Sequence, residues 1–312
     1  MISLGALLWG RSATDFASRA AALENAGFQS LSVGDHLGQY PALTACATIA
    51  AATETAQIGP LVLNNDFRNP SVLAREAAAL ADLADGRFEL GLGAGYARKE
   101  YRWAGIRYDP AAVRIARLAE AAQILKGLLA GETVSFVGEH YRIQDDVLPE
   151  LPHQVPLVIG GNSPAIHAVA ARWADILNFA GLRPIRGGTV EDSSDFSAGA
   201  LGRQVRALGG LRRDVERELE HHVLVQWHEV TADRDAAARH AANALDVTPE
   251  IVVDSPYVLI GTPEEIAAQL REHHDRFGIT RWTVFADRRD LQPADALVPV
   301  IGLLRNTAEV KP

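Results

Sequence analysis

The sequence predicts an α/β fold: a (β/α)8 TIM barrel with insertions, forming one domain over residues 1–312. Short apolar runs alternate eight times with longer segments of helical period, the pattern of a parallel barrel. The runs are almost unbroken in apolar character, as strands covered on both faces should be. The chain's 312 residues, 48% of them hydrophobic, are enough for one large core.

The first run is 3–10, followed by a helix over 14–26 in which Phe16, Ala20 and Leu23 share a face and Gly27 closes the C-terminus. The second run, 30–33, leads to a helix over 41–53, and the third, 58–63, to one over 70–83. The fourth, 88–92, precedes a long helix over 110–129. Residues 133–143 read as an inserted hairpin turning at Gly138-Glu139. The fifth run, 156–159, precedes a helix over 164–173, where Ser163-Pro164 places a cap residue before a proline at the first helical position. The sixth run is 176–179, the seventh 223–227 and the eighth 281–285, with a closing helix over 294–304. Between the last two runs, 232–245 reads as a helix, and Thr262-Pro263-Glu264-Glu265 as a capping box opening another that Gly278 ends. The segment 182–202 is long and rich in Gly, Ser and Asp, and reads as a lid or as a disordered loop.

Composition narrows the function. A formal charge of −9 with no basic run argues against nucleic acid and acidic membranes as partners. One cysteine, Cys46, cannot form an internal disulfide, and its apolar neighbours predict a buried thiol. No signal peptide or membrane-spanning stretch is read, so the cytoplasm is the expected location. No His/Asp/Glu set has metal-ligand spacing, and no Gly-x-Ser-x-Gly elbow occurs. A small-molecule substrate is the expected partner, with a homodimer left open.

In a parallel barrel the reacting groups sit on loops after the C-terminal strand ends. That rule selects Trp9, then Asp35 and His36, then Asn64 and Asn65, on the first three loops. Gly93, Ala94, Gly95 and Tyr96 follow the fourth run, and Gly160, Gly161, Asn162 and Ser163 the fifth. Phe179 and Trp227 follow the sixth and seventh. His36 is the candidate catalytic group, because an imidazole exchanges protons near neutral pH. Asp35 either orients it or caps the next helix; the alternative is a structural histidine satisfied by a loop carbonyl. The turn 160–163 offers backbone N–H groups and a helix N-terminus, which suit a phosphate; an ordinary glycine turn with a serine cap is the other reading. The glycines of 91–95 lack the last glycine and the later acidic residue of a dinucleotide fingerprint. They instead permit close approach of a flat ring, or tight packing at the rim. Trp9, Asp35, Phe179 and Trp227 are the expected substrate pocket.

Several motifs carry a resemblance. Asn69-Pro70, Leu80-Ala81-Asp82-Leu83, Gly86-Arg87 and Leu90-Gly91-Leu92-Gly93-Ala94-Gly95-Tyr96, then Glu100-Tyr101 and Gly105, resemble the central signature of luciferase-like monooxygenases. Gly131-Glu132 through His140-Tyr141-Arg142 resembles that family's hairpin insertion, and residues 156–161 its phosphate-loop strand. The resemblance implies a flavin-type ring across the barrel mouth, carried by reduced FMN working with oxygen or by coenzyme F420 working as a hydride carrier. It places His36 beside the ring and a non-proline cis peptide at Asn64-Asn65. It also implies that residues 93–96 and 160–163 hold the cofactor's chain and phosphate. Ala97 stands where many relatives have asparagine. Residues 65–70 and 257–261 are more similar to the F420 subgroup. The expectation is therefore an F420-dependent oxidoreductase moving a hydride to or from a small organic substrate. An FMN-dependent monooxygenase and a non-catalytic flavin-binding barrel are the alternatives.

Overall fold

The computed structural model describes residues 1–150, 152–181, 196–212 and 215–306. In chain order, β1 (Ser3–Leu8), α1 (Ala13–Ala26), β2 (Ser30–Val33) and α2 (Ala42–Ala52) open the fold. Then come β3 (Gln57–Pro60), β4 (Leu63–Asn64), α3 (Pro70–Leu83), β5 (Leu90–Gly93), α4 (Arg98–Ala104) and α5 (Ala111–Leu129). The hairpin strands are β6 (Val134–Val137) and β7 (Arg142–Asp146). The second half holds β8 (Leu157–Gly160), α6 (Pro164–Trp173), β9 (Ile176–Phe179), α7 (Ala198–Leu211) and β10 (Glu220–Leu224). It ends with β11 (Trp227–Val230), α8 (Arg234–Leu245), α9 (Pro249–Val253), β12 (Val258–Gly261), α10 (Pro263–Phe277), β13 (Ile279–Phe285) and α11 (Val298–Asn306).

The main sheet runs β3-β2-β1-β13-β10-β9-β8-β5-β4, with every neighbouring pair parallel. An isolated parallel bridge from Ile58 to Phe88 joins the β3 edge toward β5, so β3 and β4 act as one broken stave and the sheet closes into an eight-stave barrel. The helix caps follow the sequence chemistry. Ser12 caps α1, Gly27 ends it at φ 102°, and Thr262 with Glu265 forms the capping box of α10. None of the described helices is long and apolar enough to cross a membrane.

The structure corrects the seventh strand. Residues 220–224 form the stave, whereas Trp227–Val230 leaves the barrel and pairs with Val258–Gly261 in a separate parallel ribbon. An apolar run alone does not distinguish these, because each strand carries two buried residues and is otherwise only partly covered. The proposed lid is also redrawn: Ala198 and Leu201 are buried in α7, and residues 182–195 lie outside the described part.

Two layers fill the lumen. Leu7, Leu61, Val158 and Ile176 come from four different staves and meet inside the barrel, with Trp9, Val62, Leu224 and Phe285 half-buried against them. Nearer the N-terminal strand ends the lumen is polar. There His222 Nε2 lies 2.8 Å from Thr283 Oγ1, and Arg281 pairs with Glu89.

Cys46 is fully buried, and burial pushes its thiol up. Burial holds His222 well below the ordinary imidazole value and lowers His228 to about 4. Unfolded histidine takes its proton near 6.5, so His228 has no pH effect on stability above that value. As pH falls from 6.5 toward 4 the unfolded chain binds the extra proton, and stability drops by up to about 3 kcal/mol from this ring. Urea midpoints at pH 7.5 and pH 5 are expected to fall in the wild type and to fall less in His228→Gln. Equal falls in both proteins would remove His228 as a cause.

Candidate active site

The C-terminal strand ends bring His36, Trp9, Tyr96 and Glu100 together. His36 follows β2, and its ring lies 6.2 Å from Trp9 at 17°. Gly34 keeps that space: a Cβ there would sit 3.1 Å from the Trp9 ring. Nδ1 of His36 lies 2.7 Å from Oε1 of Glu100, a buried residue on α4. A carboxylate only accepts, so Nδ1 carries the proton and donates it to this bond. Nε2 lies 3.3 Å from the Tyr96 hydroxyl, and the two rings meet edge to face at 5.9 Å. Burial, and next the Glu100 charge, raise the Tyr96 phenol above its ordinary range.

Asp35 does not orient His36. Its carboxylate takes two bonds from Arg68, at 2.7 and 2.9 Å, and the Asn64 backbone N–H at 2.9 Å. It thus braces the loop after the third stave. Asn64 Oδ1 accepts the Asp66 N–H and the Tyr101 hydroxyl, each at 3.1 Å, and Asn65 Nδ2 donates to the Tyr141 hydroxyl at 3.3 Å. Asn65 is therefore one point where the inserted hairpin meets the barrel. Glu120 on α5 holds the same hairpin by accepting the Glu139, His140 and Tyr141 N–H groups. The non-proline cis peptide lies at Leu61–Val62, not at Asn64-Asn65. Asn64 instead caps the one-turn 3-10 helix Asn65–Phe67 with its own side chain.

The glycines have specific neighbours. A Cβ would come within 2.8 Å of Val62 at Gly93 and 3.0 Å at Gly160, so both admit the Val62 side chain into the mouth. Gly95 has φ 71°, and a Cβ there would run into the Tyr101 hydroxyl and Asn64 Oδ1. Arg114, buried and 4.4 Å over the Tyr108 ring, donates to the carbonyls of Ala94 and Gly95 and fixes this loop from behind.

In the 160–163 turn, Gly161 donates its N–H to the Asn178 carbonyl at 3.1 Å, so that donor is already used. A Cβ on Gly161, at φ 150°, would meet Ile166 at 2.6 Å. Asn162 Oδ1 accepts the N–H groups of Ala180 and Gly181, at 2.9 and 3.2 Å, tying the fifth loop to the sixth. Ser163 caps α6 by accepting the Ile166 N–H at 3.3 Å.

Phe179 and Trp227, expected in the pocket, are buried elsewhere. Phe179 is 0% exposed, between the rings of His167 and His221, at 5.4 and 5.6 Å. Trp227 is 2% exposed on the separate ribbon, edge-on to His240 at 4.8 Å. A strand's last residue alternates between lumen and helix layer, and the strand-end rule does not say which.

Sequence reasoning missed Glu100, Asn178 and Val62 as parts of the mouth, whereas Phe285, at the end of the eighth run, lies against the lumen cluster. Glu100 had a signal, lying four residues beyond Tyr96. Asn178 is buried, and its Nδ2 has no hydrogen-bond partner among the described residues. Its Oδ1 lies 3.7 Å from the Cβ position of Gly160. Among the described residues no cluster of His, Cys, Asp or Glu could hold a metal ion.

Comparisons with known proteins agree with this architecture. The chain is 28% identical over 300 residues to an F420-dependent glucose-6-phosphate dehydrogenase of Kineococcus radiotolerans, covering 88% of this chain and 87% of that one. It is 34% identical over 224 residues to the Microbacterium testaceum protein of the same description, covering 69% and 63%. Among solved structures, an F420-dependent secondary alcohol dehydrogenase in complex with an F420-acetone adduct superposes with TM-score 0.77 at 19% identity, over 97% of this chain and 98% of that one. A monooxygenase from Streptomyces bottropensis superposes with TM-score 0.72 at 18% identity, over 98% of each chain. At those identities the superpositions speak for the fold alone. Residues 5–191 match the family model of luciferase-like monooxygenases. Closed parallel barrel, inserted hairpin, glycine-lined mouth and that match together place the chain in one family: it belongs to the luciferase-like monooxygenases.

Proposed function

We propose that this chain is an F420-dependent oxidoreductase that moves a hydride to or from a small organic substrate at the C-terminal mouth of its barrel. The observation that carries the proposal is the pairing of His36 with Glu100 beside an apolar floor. The relatives at 28% and 34% identity, both described as F420-dependent, support the choice of cofactor.

The residues present fit a flat heteroaromatic ring. Trp9, Val62, Leu224 and Phe285 offer apolar walls, and Asn178 Nδ2 is a buried donor without a partner among the described residues. A ring carbonyl would satisfy that donor. When bound, the deazaflavin supplies a two-electron hydride acceptor or donor. Residues 93–95 and 160–163 would hold its chain, and the N-terminus of α6 its phosphate. His36 holds or releases a proton at Nε2, while Glu100 fixes the ring and stabilises the imidazolium.

Titration with oxidised F420 and with FMN, read by fluorescence, tests the reading. Tight FMN binding without F420 binding would replace it with the monooxygenase alternative. Ser163→Asp sharpens the test. Aspartate caps a helix as well as serine, so circular dichroism should stay native. Its charge would face the phosphate, and affinity for F420 should fall about tenfold, the scale of one close like-charge contact. An unchanged Kd would remove this turn from the site.

A further inference from the structure

The outer nitrogen of His36 does not meet the mouth directly. Tyr96 stands between, with its hydroxyl 3.3 Å from Nε2 and 55% of the residue exposed. The three groups grade outward: Glu100 is 8% exposed, the His36 side chain 27%, and Tyr96 lies outermost. The Tyr96 backbone is held, because the Tyr108 hydroxyl donates to its carbonyl at 3.3 Å and Arg114 holds the preceding Gly95 carbonyl. Other charges nearby are engaged: Asp35 is paired with Arg68, Arg98 lies 5.8 Å over Tyr108, and Lys99 lies 4.5 Å over Trp103. Glu100 is thus the charged group bonded to His36.

We propose that Tyr96 is a catalytic residue, the group that exchanges a proton with the substrate oxygen at the head of a Glu100–His36–Tyr96 relay. The proposal rests on the hydride-transfer reading above. It replaces the expectation that Tyr96 holds the cofactor. A phenol is neutral at physiological pH and both donates and accepts, which suits it to passing a proton rather than storing it. In the oxidative direction a substrate alcohol gives its O–H proton to the Tyr96 oxygen as Tyr96 gives its own to His36 Nε2. The carbon–hydrogen bond of the alcohol breaks, its hydrogen and electron pair leaving as hydride for the deazaflavin, and the carbonyl forms. His36 ends as an imidazolium held by Glu100, and reduction of a carbonyl runs the same transfers backward.

Tyr96→Phe in the full-length protein tests this. In the cofactor-free protein, 15N NMR of the His36 ring should show the Nε2 resonance displaced and the Nδ1 resonance, bonded to Glu100, nearly unmoved; Glu100→Gln should do the opposite. F420 affinity by fluorescence should stay within about twofold of wild type. On substrates accepted by the wild type from a panel of secondary alcohols, aldoses and aldose phosphates, kcat should fall about 100-fold with KM little changed, the scale of one proton-transfer group. An Nε2 resonance identical in wild type and Tyr96→Phe overturns the relay even if no panel member is accepted. Unchanged kcat overturns it as well, and a fall in F420 affinity with kcat intact would return Tyr96 to a cofactor-holding role. Failure of F420 to bind the wild type defeats the cofactor reading separately and leaves the NMR result standing.

Discussion

Replacing His36 with alanine should lower kcat by about a thousandfold, within the range for loss of a positioned acid–base group. The fold should survive, because the ring is only half-buried at the mouth and belongs to no core cluster. F420 affinity should change little, since the imidazole handles a proton rather than the cofactor's phosphate. The loss should exceed that of Tyr96→Phe, because removing His36 strands both its neighbours: Glu100 loses its donor and Tyr96 its proton acceptor. Glu100→Gln should fall between wild type and His36→Ala, since the amide can still hold the ring but cannot stabilise the imidazolium. Steady-state kinetics across pH, with circular dichroism and cofactor titration as controls, decide it. Wild-type kcat in His36→Ala at every pH would mean that the histidine is a structural loop residue.

The parallel barrel was readable because its signal is repeated. Eight apolar runs and their helices reinforce one another, and the strands at 30–33 and 176–179 fall where the runs do. The misreadings have particular causes. The third stave breaks at Leu61–Val62, which an apolar run cannot reveal. The seventh run joined two partly buried segments that belong to different sheets. At the mouth, His36 was found by its place on a loop, but its partner was sought one residue away at Asp35. The partner is Glu100, 64 residues later, because α4 folds back over the second loop. Asp35 is held instead by Arg68, 33 residues later. Short-range sequence neighbours on a strand end point in opposite directions, so the contacts that orient a catalytic group come from other staves. At Gly93 and Gly160 the space that a missing side chain leaves is taken in part by the chain's own Val62.

The largest effect on stability should come from Arg281→Ala, at the end of the lumen remote from His36. Arg281 Nη1 lies 2.8 and 2.6 Å from the two carboxylate oxygens of Glu89, and Nη2 lies 3.3 Å from Glu220. Arg281 and Glu89 are both buried, whereas Glu220 is partly exposed and also accepts the Thr280 hydroxyl at 2.8 Å. Gly59 admits the acid, since a Cβ there would lie 2.8 Å from Glu89 Cγ. Two desolvated charges of this kind attract strongly but add little beyond an apolar pair of the same shape. The asymmetry appears when one is removed. Alanine at 281 would leave Glu89 charged in the lumen with no cation, a loss of about 3–5 kcal/mol. For a chain of this size that corresponds to a fall in Tm of roughly 6–20 °C. The pair Arg281→Met with Glu89→Leu should recover most of the loss, because it removes the stranded charge and fills the volume. Thermal unfolding of the two variants separates the explanations: a loss that persists in the double variant would be a packing defect, and a loss below about 1 kcal/mol in Arg281→Ala would mean the pair is exchanged for water. Activity of the folded Arg281→Ala fraction at low temperature should remain near wild type, since none of these three residues contacts His36, Glu100 or Tyr96.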